Sequence, residues 1–247
     1  MLTLPERTEK NRTFGLTSIH DVHLTIGQTE TILKDYSNFL DYAKFGVGTA
    51  YVTPNLKEKI RLYKEFDVIP YFGGTLFEKF YADDKFDKFL LFMSNNDIET
   101  IEISTGTIDI PLEERMELVS KLCKDFNVLT EVGSKDAELI MAPSQWINEI
   151  NSLLNAGANY VITEGRNSGT AGIYRTTGEM RTGLVEDIIL QCDVNKIIFE
   201  APNTSAQMHF INKIGANVNL GNIKPEDLLL LETQRVGLRS ETFDVKK

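Results

Sequence analysis

Cysteine is scarce in this sequence: Cys123 and Cys192 are the only two among 247 residues. Two thiols cannot build a disulfide framework, and their spacing matches no zinc motif. A reduced, cytoplasmic setting is the expectation. Long apolar runs are also absent, and no stretch approaches the roughly 18 apolar residues of a membrane-crossing helix. Residues 1–13 are polar and charged, which predicts an N-terminal extension and no secretory signal. Positive charge is in the minority, 26 Lys and Arg against 36 Asp and Glu, for a net charge of −10. That balance argues against nucleic acid or an anionic membrane as a partner. It leaves room for a small anionic substrate in a locally basic or metal-bearing pocket. The 42% apolar and 25% charged content is that of a globular protein. The length suits one large domain or two small ones, and no linker divides it.

Short β-branched runs recur along the chain, each closing on glycine or a small or polar residue. They are 15–21 (GLTSIHD), 42–48 (YAKFGVG), 67–74 (DVIPYFGG) and 100–106 (TIEISTG), then 127–133 (NVLTEVG), 160–165 (YVITEG), 196–201 (KIIFEA) and 217–222 (NVNLGN). Their ends fall roughly 20–35 residues apart, the size of a βα unit. Helical periodicity fills the gaps. Leu112, Met116, Val119 and Leu122 make one apolar stripe, with Pro111 suited to the first turn. Ile147, Ile150, Leu153 and Leu154 make another, and Pro225 opens a third segment. Eight alternating units predict a single-domain (β/α)₈ barrel. An open doubly wound sheet is the runner-up, but no G-x-G-x-x-G follows the first strand.

A barrel keeps its active site at the C-terminal ends of the strands. Asp21 ends the first run and Lys44 lies in the second. Glu102, Glu131, Glu164 and Glu200 lie in the fourth to seventh, and Asn219 and Asn222 close the eighth. An ionised glutamate in an apolar strand costs several kcal/mol unless paired. Four in succession require lysine, arginine or a metal nearby, either as core salt bridges or as a functional site. A hard cation with oxygen ligands, Mg²⁺, suits such a mouth. The cations at hand are Lys44, Lys135 and Arg166. Arg166 opens the glycine-rich loop 166–172 (RNSGTAG), whose backbone N–H groups can meet an anion. The segments 201–205 (APNTS) and 222–225 (NIKP) enter helices after strands 7 and 8, where barrels commonly seat a phosphate. His20 and His23 are expected in packing or at the surface, and His209 in the helix 204–214 as a structural residue.

Several segments together resemble the phosphosulfolactate synthase family. They are 44–49 (KFGVGT), 72–78 (FGGTLFE), 128–133 (VLTEVG), Glu164-Gly165-Arg166 with Ser168-Gly169, 198–202 (IFEAP), 218–222 (VNLGN), and Gly237-Leu238-Arg239 with Thr242-Phe243. They run in order over nearly the whole chain. The resemblance implies a (β/α)₈ barrel that adds sulfite to phosphoenolpyruvate in the presence of Mg²⁺, giving (2R)-phospho-3-sulfolactate. In archaeal members that step opens coenzyme M biosynthesis. Lys135 matches the family lysine regarded as the general acid, which requires its pKa to be lowered by its surroundings. Glu102, Glu131 and Glu164 are assigned to the metal. Lys44 and Arg166 are assigned to the reacting anions, and Asp21, Glu200, Asn203, Ser205 and Asn222 to the substrate. A homo-oligomer is left open.

Three positions depart from the family pattern. Asp21-Val22-His23 stands where relatives carry Asp-Lys-Gly, Thr105 where an acidic residue is usual, and Ser134 where the first of two lysines is usual. The missing strand-1 lysine keeps two alternatives in view: Mg²⁺-dependent enolate chemistry on another phosphorylated or carboxylated substrate, and a non-catalytic stress-associated barrel.

Overall fold

The computed structural model describes residues 2–136, 140–166 and 168–245. Asn167, inside the 166–172 loop, lies outside them. Eight parallel strands close into one barrel in sequence order: β1 (Thr17–His20), β2 (Tyr42–Phe45), β3 (Ile69–Phe72), β4 (Thr100–Ile103), β5 (Asn127–Val132), β6 (Tyr160–Thr163), β7 (Ile197–Glu200) and β8 (Leu220–Ile223). All eight expected runs hold a strand. β8 alone is displaced, starting at Leu220 rather than Asn217. Asn219 therefore precedes the strand, where its amide donates to the carbonyls of Asn195 and Ile197 and its oxygen accepts from Leu16 N.

The helices form the outer layer: α1 (Ile26–Tyr36), α2 (Leu56–Glu65), α3 (Gly74–Ala82), α4 (Phe86–Asn95), α5 (Leu112–Leu122), α6 (Pro143–Asn155), α7 (Thr182–Gln191), α8 (Thr204–Ile214) and α9 (Leu228–Arg235). The expected helical segments are α5, α6, α8 and α9. Pro111 stands just before α5 as its cap rather than within its first turn. Two helices follow β3, and their packing brings Phe77, Phe80, Phe86 and Phe89 into ring contact. One apolar layer fills the space between strands and helices, with Phe45, Phe72, Val132 and Phe199 facing outward to it.

Side chains alternate across a strand, so residues two apart share the interior. Tyr42, Leu129, Ile162 and Ile198 belong to a small apolar cluster with Leu16, Tyr71 and Tyr160. Two positions on come Lys44, Glu131, Glu164 and Glu200. The barrel interior thus has an apolar lower layer and an ionisable upper one. Below it, Tyr160 donates to Thr13 O at 2.7 Å, and buried Arg235 donates to the carbonyls of Ala216 and Val218. The N-terminal arm is tied to this end by Arg7–Glu232 at 2.8 Å and Arg12–Asp41 at 3.2 Å.

Candidate active site

A cavity of about 460 Å³ opens at the C-terminal ends of the strands. That volume suits a small ligand. Lys44, Glu102, Glu131, Glu200 and Asn222 line it from the strands, Glu164 from just past the end of β6, and Lys135 and Arg166 from the loops after β5 and β6. His20, expected in packing or at the surface, is buried against Gly46 and lines the cavity too. The four strand glutamates therefore open toward one end.

Lys44 occupies the centre of the mouth. Its Nζ stands 3.1 Å from Glu102, 3.4 Å from Glu200 and 3.6 Å from Glu131. Burial alone would lower its pKa, but Glu102, Glu200 and Glu131 outweigh it and hold the ammonium well above its ordinary range. Lys135 stands beside it, 3.5 Å from Glu78, 3.7 Å from Glu131 and 4.0 Å from Glu164. Its pKa is raised as well, because Glu131, Glu164 and Glu78 overcome desolvation. This corrects the expectation of a lowered lysine pKa: the carboxylates hold the proton on. Lys135 is the more open of the two lysines, 23% exposed against 8% for Lys44, so it is the one a ligand meets.

The carboxylates divide by environment. Burial pushes Glu102 up to about 7 despite Lys44. Glu164 is also raised, by burial and by the charges of Glu131 and Glu200. Burial raises Glu200, with Lys44 opposing. Glu131 is buried too, but Lys135 and Lys44 pull it down to about 2, helped by hydrogen bonds from Glu164 and the Ser104 hydroxyl. Glu131 is thus the most acidic of the group, and a hydrogen bond joins it to Glu164.

Backbone N–H groups hold the acids in place. Gly74 N donates to Glu102 Oε1, Gly165 N to Glu200 Oε2 at 2.8 Å, and Arg166 N to Glu164 Oε1 at 2.6 Å. The first of these requires α3 to start against β4. A Cβ on Gly74 would lie 2.2 Å from Ser104 Cβ and 2.7 Å from Glu102 Oε1, so glycine is needed for that approach. Val47, Arg166 and Asn222 at the cavity all have positive φ, between 53° and 55°. For a β-branched residue such as Val47 that backbone is strained, and such strain concentrates at functional sites.

Glu102, Glu131 and Glu164 share the cavity, but the two ammoniums stand among them. Among the described residues, no three His, Cys, Asp or Glu side chains converge at metal-binding range. The donor chemistry nonetheless suits a hard cation: the oxygens are carboxylate and amide, and Asn222 Oδ1 is buried without a hydrogen-bond partner. Charge agrees. Counting Glu78, five carboxylates meet three cations, Lys44, Lys135 and Arg166. The raised proton affinities of Glu102, Glu164 and Glu200 answer that excess, and a divalent cation would answer it equally.

Three expected substrate contacts lie elsewhere. Asp21 is spent on Lys59 Nζ at 2.7 Å and on the Tyr63 hydroxyl at 2.7 Å, outside the cavity lining. Lys59, on α2, is the counter-ion of that aspartate. Asn203 caps α8 by accepting from Ala206 N at 3.0 Å. Ser205, in the first turn of that helix, is exposed, and neither residue lines the cavity. Caps and phosphate sites draw on the same residue types. His209 lies on α8 with its ring edge-on to Phe210, as expected of a structural residue. Glu78, Ser104 and Lys59 were missed. Glu78 sits inside 72–78 (FGGTLFE), a segment already marked by the resemblance, but within a helix where a glutamate reads as solvated surface.

The family model described as (2R)-phospho-3-sulfolactate synthase (ComA) matches residues 5–241. A phosphosulfolactate synthase of Bacillus subtilis (strain 168) is 44% identical over 245 residues, spanning 98% of this chain and 97% of the relative. One of Methanocaldococcus jannaschii is 43% identical over 236 residues, spanning 93% and 94%. Among solved structures, the YdjI aldolase of Escherichia coli K12 superposes with a TM-score of 0.57 at 10% identity, covering 87% of this chain and 77% of its own. That likeness speaks for the barrel alone.

Proposed function

The chain belongs to the (2R)-phospho-3-sulfolactate synthase family, and from that membership we propose that it adds sulfite to C3 of phosphoenolpyruvate in a Mg²⁺-dependent reaction. The sulfite lone pair forms the C–S bond while the C2=C3 π pair moves to C2 and its carboxylate. A proton then closes the C2–H bond, giving (2R)-phospho-3-sulfolactate with the phosphoryl ester intact. The proton lost by bisulfite balances the one gained at C2.

The observation that carries this reading is the Lys135 ammonium, held protonated beside the cavity by three carboxylates. A general acid must arrive charged, and a carbanionic C2 is basic enough to take a proton even from a strengthened ammonium. Arg166, exposed at the cavity rim, is placed to draw in anions. Lys44 offsets part of the charge of Glu102, Glu131 and Glu200, which eases the approach of an anion. Asn222 presents an unpartnered amide oxygen on the opposite wall. Glu102, Glu131 and Glu164 would hold Mg²⁺, which supplies electrostatic stabilisation of the charge that develops on the substrate carboxylate.

The test is to incubate purified protein with phosphoenolpyruvate, sulfite and Mg²⁺ and to look for phosphosulfolactate by mass spectrometry. Product that depends on all three components is expected. A folded protein that makes none would overturn the assignment.

A further inference from the structure

Lys135 is held from behind by two residues outside the cavity lining. A Cβ built on Gly106 would lie 2.7 Å from Lys135 Cε and 2.8 Å from both Cδ and Nζ. The lysine stem therefore rests directly on the bare α-carbon of Gly106. Backbone conformation does not impose this glycine, since Gly106 is not among the positive-φ glycines. The same residue grips the lysine through its peptide groups. Gly106 O accepts from Lys135 N at 3.2 Å, and Gly106 N donates to Glu78 Oε1 at 2.8 Å. That carboxylate oxygen stands 3.5 Å from Lys135 Nζ. Glu78, on α3, is 2% exposed, and its Oε1 lies within hydrogen-bond reach of the Ser104 hydroxyl, whose one proton serves either Glu78 or Glu131. The Ser104 oxygen also lies 2.8 Å from Glu131 Oε1. α3, the β4–α5 loop and the β5–α6 loop thus meet around one ammonium.

We infer that Gly106 and Glu78 form a cradle that aims the Lys135 ammonium into the cavity, which makes both of them positioning residues for the proton-donating step. The inference rests on the reading of Lys135 as the C2 proton donor. Gly106 supplies a flat floor for the stem, and Glu78 a fixed anion for the tip. Neither touches the substrate, so both act only through the lysine. A misplacement of about 1 Å in a reacting group costs on the order of 10²-fold in rate.

The experiment compares kcat and KM for wild type, Lys135→Ala, Gly106→Ala and Glu78→Gln, with the last two also made in the Lys135→Ala background. Gly106→Ala should fold, because the atoms its methyl displaces are the far end of a flexible side chain. It covers the case in which Glu78→Gln, with its buried partners disturbed, does not. Each single cradle variant should lose about 10²-fold in kcat, with KM for phosphoenolpyruvate little changed. Combined with Lys135→Ala, neither should slow the enzyme further, because residues acting as a unit are not additive. A crystal structure of Gly106→Ala should show Nζ moved away from Glu78. Wild-type kcat in both cradle variants, with Lys135→Ala slow, would overturn the cradle and leave the function standing. Full multiplicative losses in the double variants would reduce both residues to structural ones and overturn it as well. Wild-type turnover in Lys135→Ala would overturn the reading of Lys135 itself, and the cradle with it.

Discussion

Replacing Lys135 with alanine removes an ammonium that three carboxylates hold at 3.5 to 4.0 Å. Turnover should fall by roughly 10²–10⁴-fold, the usual worth of a positioned general acid, while phosphoenolpyruvate binding weakens much less. A folded variant with wild-type kcat would assign the lysine to charge neutralisation only. Lys59 offers the contrasting case. It is buried against Asp21, away from the cavity. Lys59→Met leaves that aspartate with Tyr63 and one backbone donor. Breaking such a pair costs about 3–5 kcal/mol, to be read in urea denaturation. A loss near zero would show that Asp21 takes up a proton or water without penalty.

At the scale of elements, Asn203 separates two readings of the loop after β7. It caps α8, so Asn203→Ala should cost about 1 kcal/mol of stability and leave kcat and KM unchanged. A sharp rise in KM for phosphoenolpyruvate would restore it as a substrate contact. The strands were legible because a buried parallel strand is a short β-branched run with a polar end, and eight of them at βα spacing allow few architectures. The upper interior layer was legible for a related reason, since a glutamate in such a run has nowhere to go but a paired site. What failed to show was anything carried by a helix or a turn. Glu78 and Lys59 look like ordinary charges on amphipathic helices, and only the packing of α3 and α2 reveals that both are buried. The sign of the Lys135 shift was misjudged because it depends on how many carboxylates surround the ammonium, a count that only the folded loops determine.

At the scale of the molecule, the excess of acid at the barrel mouth couples stability to pH and to metal. Glu102 titrates near 7 in the fold and near 4.5 when unfolded. Between those values the folded state holds the proton and the unfolded chain does not, so unfolding free energy should decrease as pH rises through that window. Glu164 and Glu200, also raised, act in the same direction. Mg²⁺ would compete with those protons, so its effect on the thermal midpoint should be larger at pH 8 than at pH 5. At 100 times its dissociation constant it would add about 2.7 kcal/mol. Glu131→Gln should remove most of that response. An equal Mg²⁺ shift at both pH values, retained in the variant, would place the metal away from these carboxylates.

In the reaction we propose, sulfite attacks C3 while an ammonium of the protein protonates C2. Running the reaction in D₂O and reading the product by NMR tests it most directly. Phosphosulfolactate carrying one deuterium at C2 and an unlabelled CH₂ at C3 is the predicted result. Deuterium at C3, or a product without a new C–S bond, would contradict the account.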